Sequence, residues 1–130
     1  PLKAFSFDAT HSPDLFPPLA ALAAYCDGVS TIKGVTRLIH KESDRAEALR
    51  QEFGKLMIRI DIDGDIMSIT GGKPEGARVE SHGDHRIAMA MAVAALKASG
   101  RVYIRDSQCV GKSYPGFFDD LRMLGAIVHE

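Results

Sequence analysis

Four stretches of this chain put charged side chains beside small residues where helices can begin. They are Ser12-Pro13-Asp14, Lys41-Glu42-Ser43-Asp44-Arg45, Ser81-His82-Gly83-Asp84-His85-Arg86, and Gly111-Lys112 ahead of Tyr114-Pro115. The first N–H groups of a helix lack intrahelical partners and carry the positive end of its dipole, so they attract anions. Arg86 in such a first turn is mildly unfavourable unless an anion joins it. Helices that run in one sense between strands place their N-termini on one side. Four cations (Lys41, Arg45, Arg86, Lys112) and two acids (Asp14, Glu42) are therefore expected at one mouth. One by one, such residues are more often solvated surface charges. Together they repel unless a ligand neutralises them, which argues for a site. Several Lys/Arg groups with helix ends suit a substrate bearing both phosphate and carboxylate. Two acids beside them suit proton transfer, one accepting from a hydroxyl and the other giving to carbon or to a leaving group. A metal site at His82, Asp84 and His85 is disfavoured by the adjacent Arg86.

The elements that must position these groups follow from spacing. Lys3 to Asp8 alternates like a strand, and Ser12-Pro13-Asp14 opens a helix over 15–26, although Pro17 and Pro18 strain its first turn. Gly28 ends that helix, 29–35 is a strand, and 36–42 is a cation-rich connection. Ser43 or Asp44 caps a helix over 45–53 with Gly54 as its stop. Residues 57–62 alternate, Asp63-Gly64 signals a hairpin, and 65–70 returns. After a loop, 77–80 is a strand. Gly83 or Asp84 then caps a helix whose run from Ile87 to Leu96 is apolar all round, which predicts burial. A strand over 101–106, a loop over 107–112, a helix over 114–124 and a strand over 126–129 complete the chain. Ala21-Leu22-Ala23-Ala24 matches Val93-Ala94-Ala95-Leu96, and Leu49-Arg50 matches Leu121-Arg122, each about 72 positions apart. Two units, about 1–72 and 77–130, are therefore expected to share one core within a single domain. The fold class is α/β, with helices packed on mixed sheets.

The chain has 130 residues, 45% hydrophobic and 25% charged, an ordinary globular composition. A net charge of -1 gives no general attraction to nucleic acid or to anionic membrane. Cys26 and Cys109 lie far apart without ligand spacing, so free thiols are expected. No apolar run reaches a membrane span, and the first residues do not resemble a signal peptide. Pro1 opens what reads as the middle of a strand, so a piece of a longer protein is expected.

The motifs Asp8-Ala9-Thr10-His11-Ser12-Pro13-Asp14, His40-Lys41-Glu42-Ser43-Asp44-Arg45, Gly83-Asp84-His85-Arg86-Ile87-Ala88-Met89 and Gly111-Lys112-Ser113-Tyr114-Pro115 resemble, in order and spacing, the C-terminal part of the 5-enolpyruvylshikimate-3-phosphate synthase family. The resemblance implies part of an inverse α/β barrel domain in a two-domain, monomeric, cytoplasmic enzyme of the shikimate pathway, which makes aromatic amino acids. It implies transfer of the carboxyvinyl group of phosphoenolpyruvate to the 5-hydroxyl of shikimate 3-phosphate, through a tetrahedral intermediate and without cofactor or metal. By the same resemblance Asp14 accepts the hydroxyl proton, and Glu42 protonates and later deprotonates the methylene carbon. Asp14 and Lys41 face shikimate 3-phosphate. Arg45, Arg86 and Lys112 hold phosphoenolpyruvate, whose place glyphosate takes, and His85 is a supporting residue. Arg37 stands where some members carry Asn, and no role is carried onto it. The family's site lies between two domains, so this chain, lacking the N-terminal domain, is expected to be one wall, inactive alone and prone to self-association. The alternatives are a UDP-N-acetylglucosamine enolpyruvyl transferase, which shares fold and donor, and a non-catalytic anion-binding module.

Overall fold

Alternation and capping place most elements within a few residues of their expected positions. A computed structural model describes residues 2–129 of the chain and, for Lys112, the backbone alone. The first part holds β1 (Ser6–Asp8), a 3-10 turn (Pro13–Leu15), α1 (Phe16–Ala23), β2 (Val29–Lys33), a second 3-10 turn (Val35–Leu38), α2 (Arg45–Lys55), β3 (Arg59–Asp63) and β4 (Ile66–Thr70). The second part holds β5 (Ala77–Glu80), α3 (His85–Ala95), β6 (Val102–Arg105), a 3-10 stretch (Ser107–Lys112) and α4 (Phe117–Met123).

β1 runs parallel to β2, β2 antiparallel to β4, and β4 antiparallel to β3, a mixed sheet in the order β1-β2-β4-β3. β5 and β6 form a second, two-stranded parallel sheet. Each parallel pair is bridged by a helix, α1 between β1 and β2 and α3 between β5 and β6. The sheet sides facing the helices follow the two-residue period: Ser30 and Ile32 of β2, Met67 and Ile69 of β4 and Val79 of β5 are buried. Ser30 is satisfied there, since its Oγ accepts from the N–H of Phe5 at 3.2 Å.

The apolar stretch after Arg86 is buried as expected through Ile87, Ala88, Ala90, Met91, Ala92 and Ala94, while Val93 and Leu96 reach solvent. α3 packs on α1, on α2 and on β6, and α2 packs on β3 and β5, so three helices share a core between the two sheets. Leu49 and Phe53 of α2 are fully buried in it, each contributing about 1.5–3 kcal/mol relative to exposure.

Five local expectations change. Pro17 and Pro18 are the second and third residues of α1, where a missing N–H costs no intrahelical bond, and the preceding 3-10 turn leads the chain in. Gly54 lies inside α2, which runs on to Lys55, and Met57 (φ 65°) takes the left-handed conformation beyond it. The hairpin pairs Asp63 with Ile66, so its two loop residues are Gly64 (φ 60°) and Asp65, one position later than expected. Residues 126–129 form no strand, and 107–112 is a 3-10 stretch rather than a loop.

Candidate active site

The second and third motifs meet through one guanidinium group. Asp44, not Ser43, caps α2, its side chain accepting from the N–H of Glu47 at 3.2 Å. That frees the Ser43 hydroxyl to donate to Asp84 Oδ2 at 2.8 Å. Asp84 in turn caps α3, accepting the Arg86 N–H at 3.0 Å. Arg45, in the first turn of α2, donates from Nε to Asp84 Oδ2 at 2.8 Å and from Nη2 to Oδ1 at 3.2 Å, a two-pronged pair. Both side chains are removed from solvent, Arg45 at 1% and Asp84 at 0% exposure.

Two further acids meet the outer nitrogens of the same group. Arg45 Nη1 donates to Asp14 Oδ1 at 3.0 Å and Nη2 to Glu42 Oε2 at 2.6 Å. Arg86 Nη2 lies 3.6 Å from Asp14 Oδ2. Asp14 is 52%, Glu42 50% and Arg86 37% exposed, so these three remain reachable from solvent. Of the six expected catalytic and binding residues, Asp14, Glu42, Arg45 and Arg86 thus converge. Lys41 is exposed beside them in the connection before α2, and the supporting residue His85 is half-buried at the start of α3. The side chain of Lys112 lies outside the described residues. Arg37 donates from Nη1 to the Thr10 carbonyl at 2.7 Å, tying the second 3-10 turn to the loop that leads to Asp14.

Electrostatically the cluster differs from a ring of unpaired cations. Arg45 and Arg86 stand among the three acids Asp14, Glu42 and Asp84, so the protein's own carboxylates neutralise the guanidinium groups. Burial pulls the Arg45 pKa down, but its hydrogen bonds to Asp84 and the charges of Asp84, Glu42 and Asp14 outweigh it, leaving the pKa raised. Burial likewise pushes the Asp84 carboxyl up. Its bonds to Arg45, Ser43 and the Arg86 N–H, with the Arg45 charge, hold it below the ordinary carboxylate range.

Asp84 is the functional group that sequence reasoning did not assign beyond a cap. Its signal is an acid at the mouth of an all-apolar helix: a carboxylate buried there needs a cation, and Arg45 is the buried candidate. His82 and Asp84 are both engaged in the protein, His82 Nε2 with Glu52 Oε2 at 2.7 Å and Asp84 with Arg45. Among the described residues no group of three or more His, Cys, Asp or Glu side chains is placed to hold a metal ion. Two concave regions of the surface lie elsewhere, one beside α2 and β3 with Val35, Ile60 and Arg50, the other among α3, β6 and α4 with Leu96, Ile104 and Leu121. The acids instead stand on an open face, an arrangement suited to one wall of a cleft.

Comparison with known proteins agrees with these motifs. The profile of the family described as EPSP synthase (3-phosphoshikimate 1-carboxyvinyltransferase) matches residues 1–121. A 3-phosphoshikimate 1-carboxyvinyltransferase from Thermococcus kodakarensis is 48% identical over 123 residues, which are 95% of this chain and 31% of that protein. The solved EPSP synthase from Acinetobacter baumannii superposes with a TM-score of 0.82 at 32% identity, over 88% of this chain and 27% of that one. The enolpyruvyl transferase NikO from Streptomyces tendae gives a TM-score of 0.76 at 26% identity, over 99% and 29%. The chain therefore spans about three-tenths of the length of the relatives it matches, and it has the mixed α/β architecture of enolpyruvyl transferases. By sequence match and by architecture, the chain belongs to the EPSP synthase (3-phosphoshikimate 1-carboxyvinyltransferase) family.

Proposed function

We propose that this chain is one wall of a two-domain enzyme that transfers the enolpyruvyl group of phosphoenolpyruvate to the 5-hydroxyl of shikimate 3-phosphate. The observation that carries the reading is the pair of half-exposed carboxylates, Asp14 and Glu42, held on adjacent nitrogens of one buried guanidinium. Two acids so placed serve the two proton movements that the reaction needs. Asp14 accepts the proton of the 5-hydroxyl as its oxygen bonds to C2 of phosphoenolpyruvate. Glu42 gives a proton to C3, forming the tetrahedral intermediate, and takes one back from that methyl group as the C2–O bond breaks and phosphate leaves with the proton that Asp14 had accepted. Arg86 is exposed enough to meet an incoming anion, and Arg45 meets it as Asp14 and Glu42 turn from the guanidinium toward substrate. Lys112 completes the phosphoenolpyruvate contacts, Lys41 takes shikimate 3-phosphate, and His85 supports Arg86 or Glu42. Glyphosate is expected to compete for the phosphoenolpyruvate place.

A second domain is proposed to close the cleft over this open face, so these 130 residues by themselves are expected to have no transferase activity. Apolar side chains exposed here, such as Met123, Leu124 and Ile127, favour self-association of the isolated chain. The full enzyme is proposed to act as a cytoplasmic monomer. The test is turnover of both substrates by the full-length gene product beside its Asp14→Asn and Glu42→Gln variants. Loss of kcat on the order of 10²- to 10⁴-fold in each, with shikimate 3-phosphate still bound, is the expected result. Turnover of a UDP-sugar alone, or unchanged rates in both variants, overturns the reading.

A further inference from the structure

Glu52 is a fully buried acid that none of the roles above uses. It lies seven positions after Arg45 on α2, two helical turns along the same face. Its side chain is 1% exposed. Oε1 accepts from the Glu80 N–H at 2.8 Å and from Lys55 Nζ at 2.7 Å, and Oε2 meets His82 Nε2 at 2.7 Å. Burial pushes this carboxyl up, but the bonds from Lys55, Glu80 and His82 outweigh it and hold it low, so it is an anion.

The residues it grips are the entrance to the second motif. His82 (φ 57°) and Gly83 (φ 65°) are consecutive residues at positive φ, and the Asp84 N–H returns to the Ser81 carbonyl at 3.0 Å, closing a tight turn. Such a turn favours Gly, Asn or Asp at both central positions, and a histidine there holds a costly backbone conformation. Ser81, fully buried, braces the turn from within: its Oγ donates to the Asp106 carbonyl at 3.0 Å and accepts the Gly83 N–H at 3.2 Å. Glu52 holds it from outside by bonding residues 80 and 82, on either side of Ser81. The next residue delivered is Asp84, which holds Arg45. α2 therefore grips this loop twice, at the site through Arg45 and Asp84, and two turns away through Glu52 and His82.

We propose that Glu52 and His82 form a positioning pair, which fixes the left-handed turn at 82–83 and so sets where Asp84 holds Arg45 and where Arg86 enters α3. Neither residue touches substrate. The charged neighbours are Lys55 on α2, the Glu80–Arg105 pair (3.3 Å) across β5 and β6, and the Asp84–Arg45 pair beyond the turn. The kinetic part of the test rests on the proposed transferase reading; the spectroscopic part does not.

The carboxylate accepts from His82 Nε2–H whether the imidazole is neutral or protonated. Glu52→Gln changes that. Its carbonyl must face the Glu80 N–H and Lys55, so its amide N–H faces Nε2, and only the neutral tautomer with its proton on Nδ1 can accept. In the full-length enzyme, Glu52→Gln should retain kcat at alkaline pH and lose it in acid, where a protonated imidazole has no lone pair left to accept the amide N–H. The wild type should lack that limb. Glu52→Ala, assayed well below its melting temperature, should lose on the order of 10- to 100-fold in kcat with KM for shikimate 3-phosphate unchanged. His82→Asn, which tolerates positive φ, should lose less than His82→Ala, and Glu47→Gln on the exposed side of α2 should be unaffected. If Glu52→Ala does not fold, the Gln variant decides. A Glu52→Gln pH profile that matches the wild type overturns the pair. If the wild type turns over neither substrate, the transferase reading fails on its own. The imidazole ¹⁵N resonances of His82 then decide: a tautomer change on Glu52→Gln supports the pair and identical resonances overturn it.

Discussion

Replacing Asp84 by alanine strips the buried Arg45 guanidinium of its two-pronged partner. The Nε bond at 2.8 Å and one Nη2 bond at 3.2 Å are lost, and Ser43 and the Arg86 N–H lose their acceptor as well. Removing one member of a buried ion pair costs about 3–5 kcal/mol. Asp14 and Glu42 remain on the outer nitrogens and keep part of the compensation, which places this case near about 3 kcal/mol. The lost helix cap adds about 1 kcal/mol. The total of about 4 kcal/mol is a large share of the roughly 5–15 kcal/mol that holds a domain folded. Asn caps nearly as well as Asp, so Asp84→Asn should cost about 1 kcal/mol less than Asp84→Ala. Urea unfolding followed by circular dichroism measures both. With a slope near 2 kcal/mol per molar, the Ala midpoint should drop by about 2 M. Replacing both Arg45 and Asp84 by leucine should cost less than Asp84→Ala, since no unpaired charge is then buried. An Asp84→Ala loss below about 1 kcal/mol would refute the weight given to this pair.

Acid should act through the same groups. Asp84 and Glu52 both have folded pKa values below their ordinary ones, so their contribution is complete above about pH 5 and is lost as pH falls through the lowered values. Urea midpoints should therefore hold from neutrality to about pH 5 and fall below about pH 4, with a shallower fall in the Asp84→Asn, Glu52→Gln double variant. Two glycines should respond with opposite signs. A Cβ on Gly71 would lie 1.8 Å from the Cys26 carbonyl oxygen, so Gly71→Ala should destabilise by more than about 3 kcal/mol or prevent folding. Nothing lies within 4 Å of a Cβ on Gly54, and Gly54→Ala inside α2 should stabilise by about 0.5–1 kcal/mol in thermal or urea unfolding.

The sequence made the helix starts legible because capping is local chemistry. Asp44 and Asp84 are caps, and Asp14, Glu42, Arg45 and Arg86 do meet. What spacing does not reveal is which charge goes inside. Arg45 and Arg86 look alike along the chain, yet one is buried on three acids and the other half exposed, a difference set by how α2 packs on α3. Glu52 was hidden for the same reason. Besides Lys55 on its own helix, its partners Glu80 and His82 are 28 and 30 positions away, across a crossing of elements that no local pattern encodes. The strand expected at 126–129 fails differently: alternation marks a segment able to pair, yet this segment joins neither sheet.

The side chains that α1 and α3 bury are mostly alanines: Ala20, Ala21 and Ala23 in the one, Ala88, Ala90, Ala92 and Ala94 in the other. The two helices pack together, and the Tyr25 hydroxyl reaches across to the Ala94 carbonyl. An alanine has no rotamer to change. Long side chains let packed helices slide by exchanging conformations, whereas a methyl face has no such slack. Mechanically, α1 and α3 should move as one bar. Rearrangement on ligand arrival is then confined to the unbraced end, the 3-10 turn bearing Asp14.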